Sequence, residues 1–411
     1  MTVAKLPGNY WRQLGATAVS NIGDGMVTAA APLLTLSLTN DTRLIAGVSF
    51  ASTLPWLVLS LPAGVYIDRF ERKHLMVIVN IIRAVLFGVI AVAAATQNLN
   101  IWMFMGILVG VGACEVIFDM SAQAFLPSIV PRELLEKANG RLYSIEMICN
   151  SFLGLPLGAW LFVLAVGVPF GVNAVAVAVA AALVASIRLP IVEGAGAAGV
   201  GAAGVVAAAP VKSFRKDLRE GMQWLWASEL VRTLAIMLGI VNMASMFGSA
   251  IFVKYAADEL GVTGRGFGLL LSVMAVGSIV GGLIGHRIAK RLGVAWAIIL
   301  AYAIFGLGGI VYVVLPRVWA IVIAVAVLGV AGTTWNIVTV SLRQRIIPTE
   351  LFGRVNSVYR FVGTGSMAIG ALAGGFIAYR YGLRAPYLAS TIVSLAGLVW
   401  GAPILLRQLR V

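Results

Sequence analysis

Asp24, flanked by Gly23 and Gly25, and the pair Glu115 and Asp119 lie inside long apolar runs of this chain. An acid at the mid-depth of a bilayer costs a few kcal/mol to insert, so it turns toward a cavity or a partner and is a functional candidate. Glu115 and Asp119 are four residues apart and share one helix face, where two carboxyls could hold a proton between them. These three residues are the candidates for proton and substrate coupling. Two of them also have a plainer role open: Asp24 bonding a neighbouring helix, Asp119 pairing with a loop arginine. Glu146 follows Arg141 by five residues and is expected to pair with it near a helix end.

The second half of the chain has no mid-helix acid. At an internal offset of 217, Asp119 falls on Asn336, and at 218 Asp24 falls on Asn242, so two carboxylates stand over two amides. Asn242, Met243, Met246, Phe247, Thr333, Trp335 and Asn336 are then candidates for a neutral substrate-cavity wall, although methionine and aromatic residues at helical spacing also serve as packing. Other chemistry is sparse. His74 and His286 fall in loop positions, and no Ser/His/Asp set, HExxH pattern or phosphate loop occurs. Cys114 and Cys149 sit in apolar runs and read as packing. The sequence therefore predicts no catalytic residues, no metal, no cofactor and no enzyme.

The elements that must position these residues follow from composition. Of 411 residues 60% are hydrophobic and 11% charged, and a mean hydropathy of +0.98 over the whole length excludes a soluble protein or one with a single anchor. Twelve spans are predicted at 13–37, 44–67, 74–96, 101–124, 139–165, 168–189, 231–255, 264–286, 293–315, 317–340, 354–379 and 384–406. Residues 193–210 are nearly all Ala, Gly and Val and lack the large residues that drive insertion. Counting them out, 22 of the 30 Lys and Arg fall in the ends and even-numbered connections and six in the odd-numbered ones, with Arg83 and Arg360 placed near the cytoplasmic ends of helices. That bias puts both termini in the cytoplasm. It also accounts for the net charge of +14 without nucleic acid, because the cations form short loop clusters with no aromatic-interleaved face. The organisation expected is a six-helix bundle over 1–189, a cytoplasmic linker over 190–230 whose later part is an amphipathic helix on the anionic inner leaflet, and a second bundle over 231–411. Glycine ridges for close helix approach are read at Gly277, Gly281 and Gly285, and at Gly106 and Gly110.

The two halves repeat. Ile129 to Arg141 lies over Ile346 to Val358, matching Pro131 with Pro348, Glu133 with Glu350, Lys137 with Arg354 and Asn139 with Asn356. Gly64, Arg69 and the pair Arg72-Lys73 lie over Gly282, Arg287 and Lys290-Arg291. Two parallel six-span repeats place a site between them. "GVYIDRFERK" (Gly64 to Lys73) resembles the loop signature G-x-x-x-D-R-x-G-R-K of the major facilitator superfamily, with Glu71 at the family's glycine, and "GGLIGHRIAKRLG" is a weaker copy.

That resemblance implies a conformational latch made of Gly64, Asp68, Arg69, Arg72, Lys73, Gly282 and Arg287. Gly64 would allow close helix approach, Asp68 would face the start of the eleventh span, and Arg72 would pair with an acid at the inner end of the fourth, for which Asp119 is the candidate. It implies an all-α membrane protein with twelve transmembrane helices in two pseudo-symmetric six-helix bundles. "SNIGDGMVTAAAPLLTLSLT", "FDMSAQAFLPSIVPRELLEKANG" and "FRKDLREGMQWLWASELVRTL" look like the macrolide-efflux and enterobactin-exporter branch. "GLPLGA" (Gly154 to Ala159) is similar to the antiporter signature G-P-x-x-G-G, with Leu155 and Ala159 at two of its positions. Gly106 and Val109 stand where the Arg and Gln of the proton-antiporter signature would be. The expectation is a monomeric secondary transporter of the bacterial inner membrane. It would export an amphiphilic drug, siderophore or metabolite by alternating access, with protons, the substrate and membrane lipids as its partners. A uniporter or importer of the same fold is the alternative, and a membrane-embedded enzyme or non-transporting receptor a remote one.

Overall fold

A long apolar run can satisfy its backbone polar groups inside lipid by folding as a helix, and the chain does so throughout. The computed structural model describes residues 6–59, 70–188 and 214–409, and every regular element among them is helical. In chain order these are α1 (Gly8–Leu38), α2 (Thr42–Leu59), α3 (Arg72–Ala95), α4 (Ile101–Ile129) and α5 (Leu135–Met147). The last continues through a π-helical turn (Ile148–Gly154) into α6 (Leu155–Leu164). Then come α7 (Val168–Ala185), α8 (Phe214–Ala227), α9 (Glu229–Ser249), α10 (Phe252–Leu260), α11 (Gly264–Leu292), α12 (Val294–Val314), α13 (Val318–Ile346), α14 (Thr349–Tyr381) and α15 (Ala385–Gln408). Eleven segments are long and apolar enough to cross a membrane. With its 31 residues α1 is long enough to be the twelfth, and it is more polar because Arg12, Asn21 and Asp24 interrupt it. The crossings α1 to α7 form one bundle of six and α9 to α15 the other.

Several helices outrun the predicted spans, α4 to Ile129, α11 to Leu292 and α13 to Ile346. Hydropathy falls where charges begin, whereas helical hydrogen bonding continues into water. "GGLIGHRIAKRLG" is accordingly part of α11 and not a loop, and the chain turns only at Gly293, whose φ of 82° suits glycine.

The linker helix is present as α8, yet its apolar face is taken by protein more than by lipid. Leu218, Trp224 and Leu225 pack with Val355 and Val358 of α14. Glu220 pairs with Arg354 at 2.8 Å, and a side chain at Gly221 would meet the Arg354 backbone at 2.8 Å. Met222 and Trp226 remain exposed.

The packing differs between the two ends of the molecule. At the end that carries both termini, one apolar cluster draws only on residues from Leu6 to Ile187 and another only on residues from Leu218 to Leu409. At the far end the clusters join the bundles. Ala46 and Phe50 of α2 pack with Ala250, Ile251, Ala371 and Ala378. Ala29, Leu33, Leu155 and Ala159 pack with Val253, Ala256 and Phe267. The Thr42 hydroxyl donates to Gly375 O across this seam at 3.1 Å, and the guanidiniums of Arg43 and Arg265 lie over the rings of Tyr379 and Trp160. Among the described residues the apolar clusters shared by the two bundles lie at the far end, α2 and α14 stay in touch as far as Leu57 and Gly365, and the separate clusters beyond leave the bundles parted toward the termini.

Glycine sets the closest helix contact in the second bundle. Gly277, Gly281 and Gly285 of α11 all face α13, and a Cβ on Gly277 would lie 2.0 Å from Ala326 O. Of the other predicted ridge, Gly110 meets Leu86 while Gly106 meets nothing within 4 Å. Gly277→Ala should therefore cost about 1–3 kcal/mol, read as a lower midpoint of thermal unfolding in detergent, with Gly106→Ala leaving the midpoint in place. Equal midpoints for the two variants would rule out the close contact.

Candidate functional site

At the centre of the first bundle Asp24 of α1 meets Arg83 of α3, carboxylate Oδ1 to guanidinium Nη2 at 2.7 Å. The Arg83 side chain is 2% exposed and that of Asp24 is 24% exposed, so the acid lies between the buried cation and the space separating the bundles. Ser20 Oγ donates to Asp24 Oδ2 at 3.3 Å, and Asn173 Nδ2 of α7 lies 3.5 Å from Oδ1. Asn80, one turn before Arg83, offers Oδ1 to Nη1 at 3.5 Å. The two glycines beside Asp24 have separate reasons. A Cβ on Gly23 would lie 1.9 Å from Asn173 Oδ1, and one on Gly25 would lie 2.2 Å from Asn150 O in the π-helical turn. Only residues without a side chain let α7 and the π turn close around this acid.

Three more carboxyls surround the pair. Glu115 and Asp119 of α4 lie within electrostatic reach of Arg83, and Glu146 of α5 interacts with both. None of these three makes a hydrogen bond or ion pair to another described residue. Glu115 and Asp119 are only partly buried and Glu146 is exposed, so they line the inter-bundle space and do not sit in sealed packing. Three buried atoms at the node also have no partner among the described residues: Arg83 Nε, Asn80 Nδ2 and Asn173 Oδ1. Buried polar atoms left in this way are met by water or by a ligand.

The structure thus brings the three predicted coupling residues together and adds two that the sequence analysis placed elsewhere. Arg83 was counted with the cations near helix ends, but it is the twelfth residue of a 24-residue helix. Glu146 does not pair with Arg141, because residues five apart on a helix point about 140° away from each other; Arg141 lies over the ring of Trp11 instead. The expected partnership of Asp119 with Arg72 is also absent among the described residues. Arg72 donates from Nη1 to Ala124 O at 3.0 Å.

The candidate wall in the second bundle divides. Asn242 donates to Gly363 O at 3.1 Å and so ties α9 to α14. Phe247 is 5% exposed, with its backbone packed on Gly374. Trp335 is 6% exposed and lies against the ring of Tyr302, centroids 5.5 Å apart. Thr333 faces Gly281 of α11, which explains its partial burial. Met243 and Met246 are half-buried and Asn336 is exposed, so these three have surface free to meet a ligand. Of the latch residues, Gly64, Asp68 and Arg69 lie outside the described residues, Arg72 and Lys73 form the start of α3, and Gly282 and Arg287 are exposed on α11.

Comparison with known proteins agrees with this architecture. Residues 4–410 match the transmembrane secretion effector family. The multidrug efflux pump Tap of Mycolicibacterium fortuitum is 26% identical over 389 residues, covering 92% of this chain and 91% of that protein. Macrolide efflux protein A of Streptococcus pyogenes is 24% identical over 376 residues, covering 91% of this chain and 90% of its own. Among solved structures, a bacterial homologue of the human lysosomal transporter Spinster, in an inward-facing and unoccupied conformation, superposes with a TM-score of 0.70 at 13% identity and covers 99% of this chain and 98% of its own.

If Asp24 neutralises Arg83, removing one charge should destabilise more than removing both. Arg83→Leu is expected to cost about 3–5 kcal/mol, and Arg83→Leu combined with Asp24→Asn substantially less than the sum of the two single changes. Thermal unfolding of the four proteins measures this, and strictly additive effects would refute the pair.

Proposed function

The chain belongs to the transmembrane secretion effector family of the major facilitator superfamily, and on that premise we propose that it exports an amphiphilic small molecule from the cytoplasm in exchange for protons. Transport proteins, not enzymes, make up this family and the relatives described above. Drug export is supported by the likeness to the multidrug efflux pump Tap and macrolide efflux protein A, which extends over nine-tenths of this chain.

The observation that carries the coupling is the charge balance at the node. Three carboxyls, Asp24, Glu115 and Asp119, share one guanidinium, Arg83, and a fourth, Glu146, lies within electrostatic reach of the last two. Ionising all four would leave three uncompensated negative charges where the dielectric is low, a state that is strongly unfavourable. The balance is restored by protons or by a cationic ligand. Both can arrive through the open space, and binding one displaces the other, which is the thermodynamic requirement for exchange. Asp24 joins the two functions, since its carboxylate is at once the counter-ion of Arg83 and exposed to the space.

With both termini in the cytoplasm, as the distribution of Lys and Arg supports, the end closed by Ala46, Gly375 and their neighbours faces outward. The conformation described is then inward-facing and ready to load. Rocking of the two bundles about the node would open the far seam and release the substrate. The protein works as a monomer in the bacterial inner membrane.

Two tests bear on this. In proteoliposomes with an imposed pH gradient, Asp24→Asn should abolish gradient-driven substrate movement, and Glu115→Gln should reduce it at least tenfold, at unchanged protein content. Transport by the native protein that ignores the gradient would point to a uniporter. Separately, cysteines introduced at Ser49 and Ala250, where Ser49 Oγ lies 3.4 Å from Ala250 O across the seam, should cross-link under mild oxidation, arrest transport and release it on reduction. Full transport by the cross-linked protein would exclude opening of the far seam.

A further inference from the structure

The second bundle has no mid-helix acid to match the first, but it does have a buried cation in the last turn of α13. Arg343 of α13 is 6% exposed and has no carboxylate partner among the described residues. Its Nη1 donates to Asn356 Oδ1 at 2.5 Å and its Nε to Thr339 O at 3.3 Å, and the guanidinium lies 3.8 Å from the ring centroid of Tyr359. Neutral groups hold it on three sides. Nη2 makes no hydrogen bond to a described residue, and it is not among the sealed polar atoms that lack a partner, so it reaches open space. Arg360 of α14 is exposed, lies within electrostatic reach of Arg343, and has no ion pair among the described residues.

Both face the space between the bundles. On α14, Gly363, Gly370 and Gly374 meet α9, while Gly365 and Gly375 meet α2; Ile369 and Phe376 are exposed on the outer side. At 3.6 residues per turn, Arg360 falls between the α9 and α2 stripes and away from Ile369 and Phe376. On α13, Arg343 is seven residues after the exposed Asn336 and shares its face, opposite the outward Ile323 and Val327. The acids of this half and of the linker helix whose side chains are described are engaged at the ends of the molecule: Glu220 with Arg354, Glu229 with Arg407, Asp258 with Lys254 and Glu259 with Arg384. Among the described side chains nothing in the second bundle neutralises Arg343 and Arg360. The space therefore has acids along one bundle and, toward the end that carries the termini, two uncompensated cations on the other.

We infer that Arg343 and Arg360 form an anion subsite, and that the substrates this protein takes are amphiphiles bearing a carboxylate or phosphate as well as a cationic group. The inference rests on the export reading above and narrows its substrate class. A fixed guanidinium pre-set by Asn356 and Tyr359 suits an oxyanion because its remaining N–H donors are already oriented. The oxyanion could belong to the substrate or to the headgroup of an anionic lipid.

The test uses a matched pair of dyes, tetramethylrhodamine with a free carboxylate and its methyl ester, bound to the full-length protein in phosphatidylcholine nanodiscs and read by fluorescence anisotropy. The free acid should bind about tenfold more tightly than the ester, the size of one charge-assisted hydrogen bond. Arg360→Gln should bring the ratio of the two dissociation constants to about one, and Arg360→Lys should keep part of the preference. Arg360 is exposed, so unfolding is not expected, and an unchanged thermal midpoint verifies it. Adding phosphatidylglycerol separates the sources. Loss of the preference in the native protein means that a lipid headgroup competes for the subsite, and an unchanged preference means that the subsite is reserved for the substrate's own anion. A native protein with no preference, or binding neither dye, or a preference that survives Arg360→Gln, overturns the inference. Loss of proton coupling is measured separately by Asp24→Asn in the pH-gradient assay, so the export reading and the anion subsite can fail independently.

Discussion

A guanidinium at the middle of a membrane helix has to be neutralised, and much of the first bundle is arranged around that need. Arg83 takes its charge partner from α1 and neighbouring amides from α3 and α7. The crossing is possible because Gly23 and Gly25 clear the way on either side of Asp24. The same acid is left partly exposed, so the group that neutralises the cation is also the one a proton or ligand can reach. Stability and coupling are then not separable at this position: what disturbs Asp24 in the transport cycle also loosens the join between α1 and α3.

The second bundle meets the same geometric demands with neutral groups. Where α1 carries Asp24, α9 carries Asn242, which ties into the backbone of α14 at Gly363. The tyrosine Tyr302 of α12 donates to Met237 O and packs on Trp335, so its polar requirement is met without an ion. The cations of this half are held by an amide, a carbonyl and a ring. A pseudo-symmetric fold thus has two chemically unlike faces, and a molecule lying between them meets a different set of charges on each side.

Much of the architecture was legible from hydropathy and from the distribution of Lys and Arg, because a bilayer allows few solutions. Asp24, Glu115 and Asp119 were legible for a related reason: an acid in an apolar run needs an explanation. Arg83 was hidden by the rule that made the topology readable, since counting cations as loop markers assigns each of them to an end. Glu146 was misassigned by spacing, as Arg141 is near it in sequence but on another face. Trp335 and Phe247 look like cavity residues in one dimension, and which way a helix turns them depends on neighbours such as Tyr302 and Gly374 that no local pattern specifies. The fate of α8 was unreadable for the same reason, because its amphipathic face fits a protein groove as well as a lipid surface.

The π-helical turn at Ile148–Gly154 also dates a divergence between the two halves. Before it, Pro131 lies over Pro348 and Asn139 over Asn356, an offset of 217. After it, Gly154 and Gly158 pack on α1 as Gly370 and Gly374 pack on α9, an offset of 216. The first half therefore holds one residue more than the second within this helix, and a π turn is how a helix absorbs a single insertion without breaking. The surplus residue lies between Glu146 and Gly154, so it rotates the part of the helix that presents an acid to the node relative to the part that grips α1. A gain of one codon, compensated on the spot, is enough to let one half of a duplicated protein aim its side chains differently from the other.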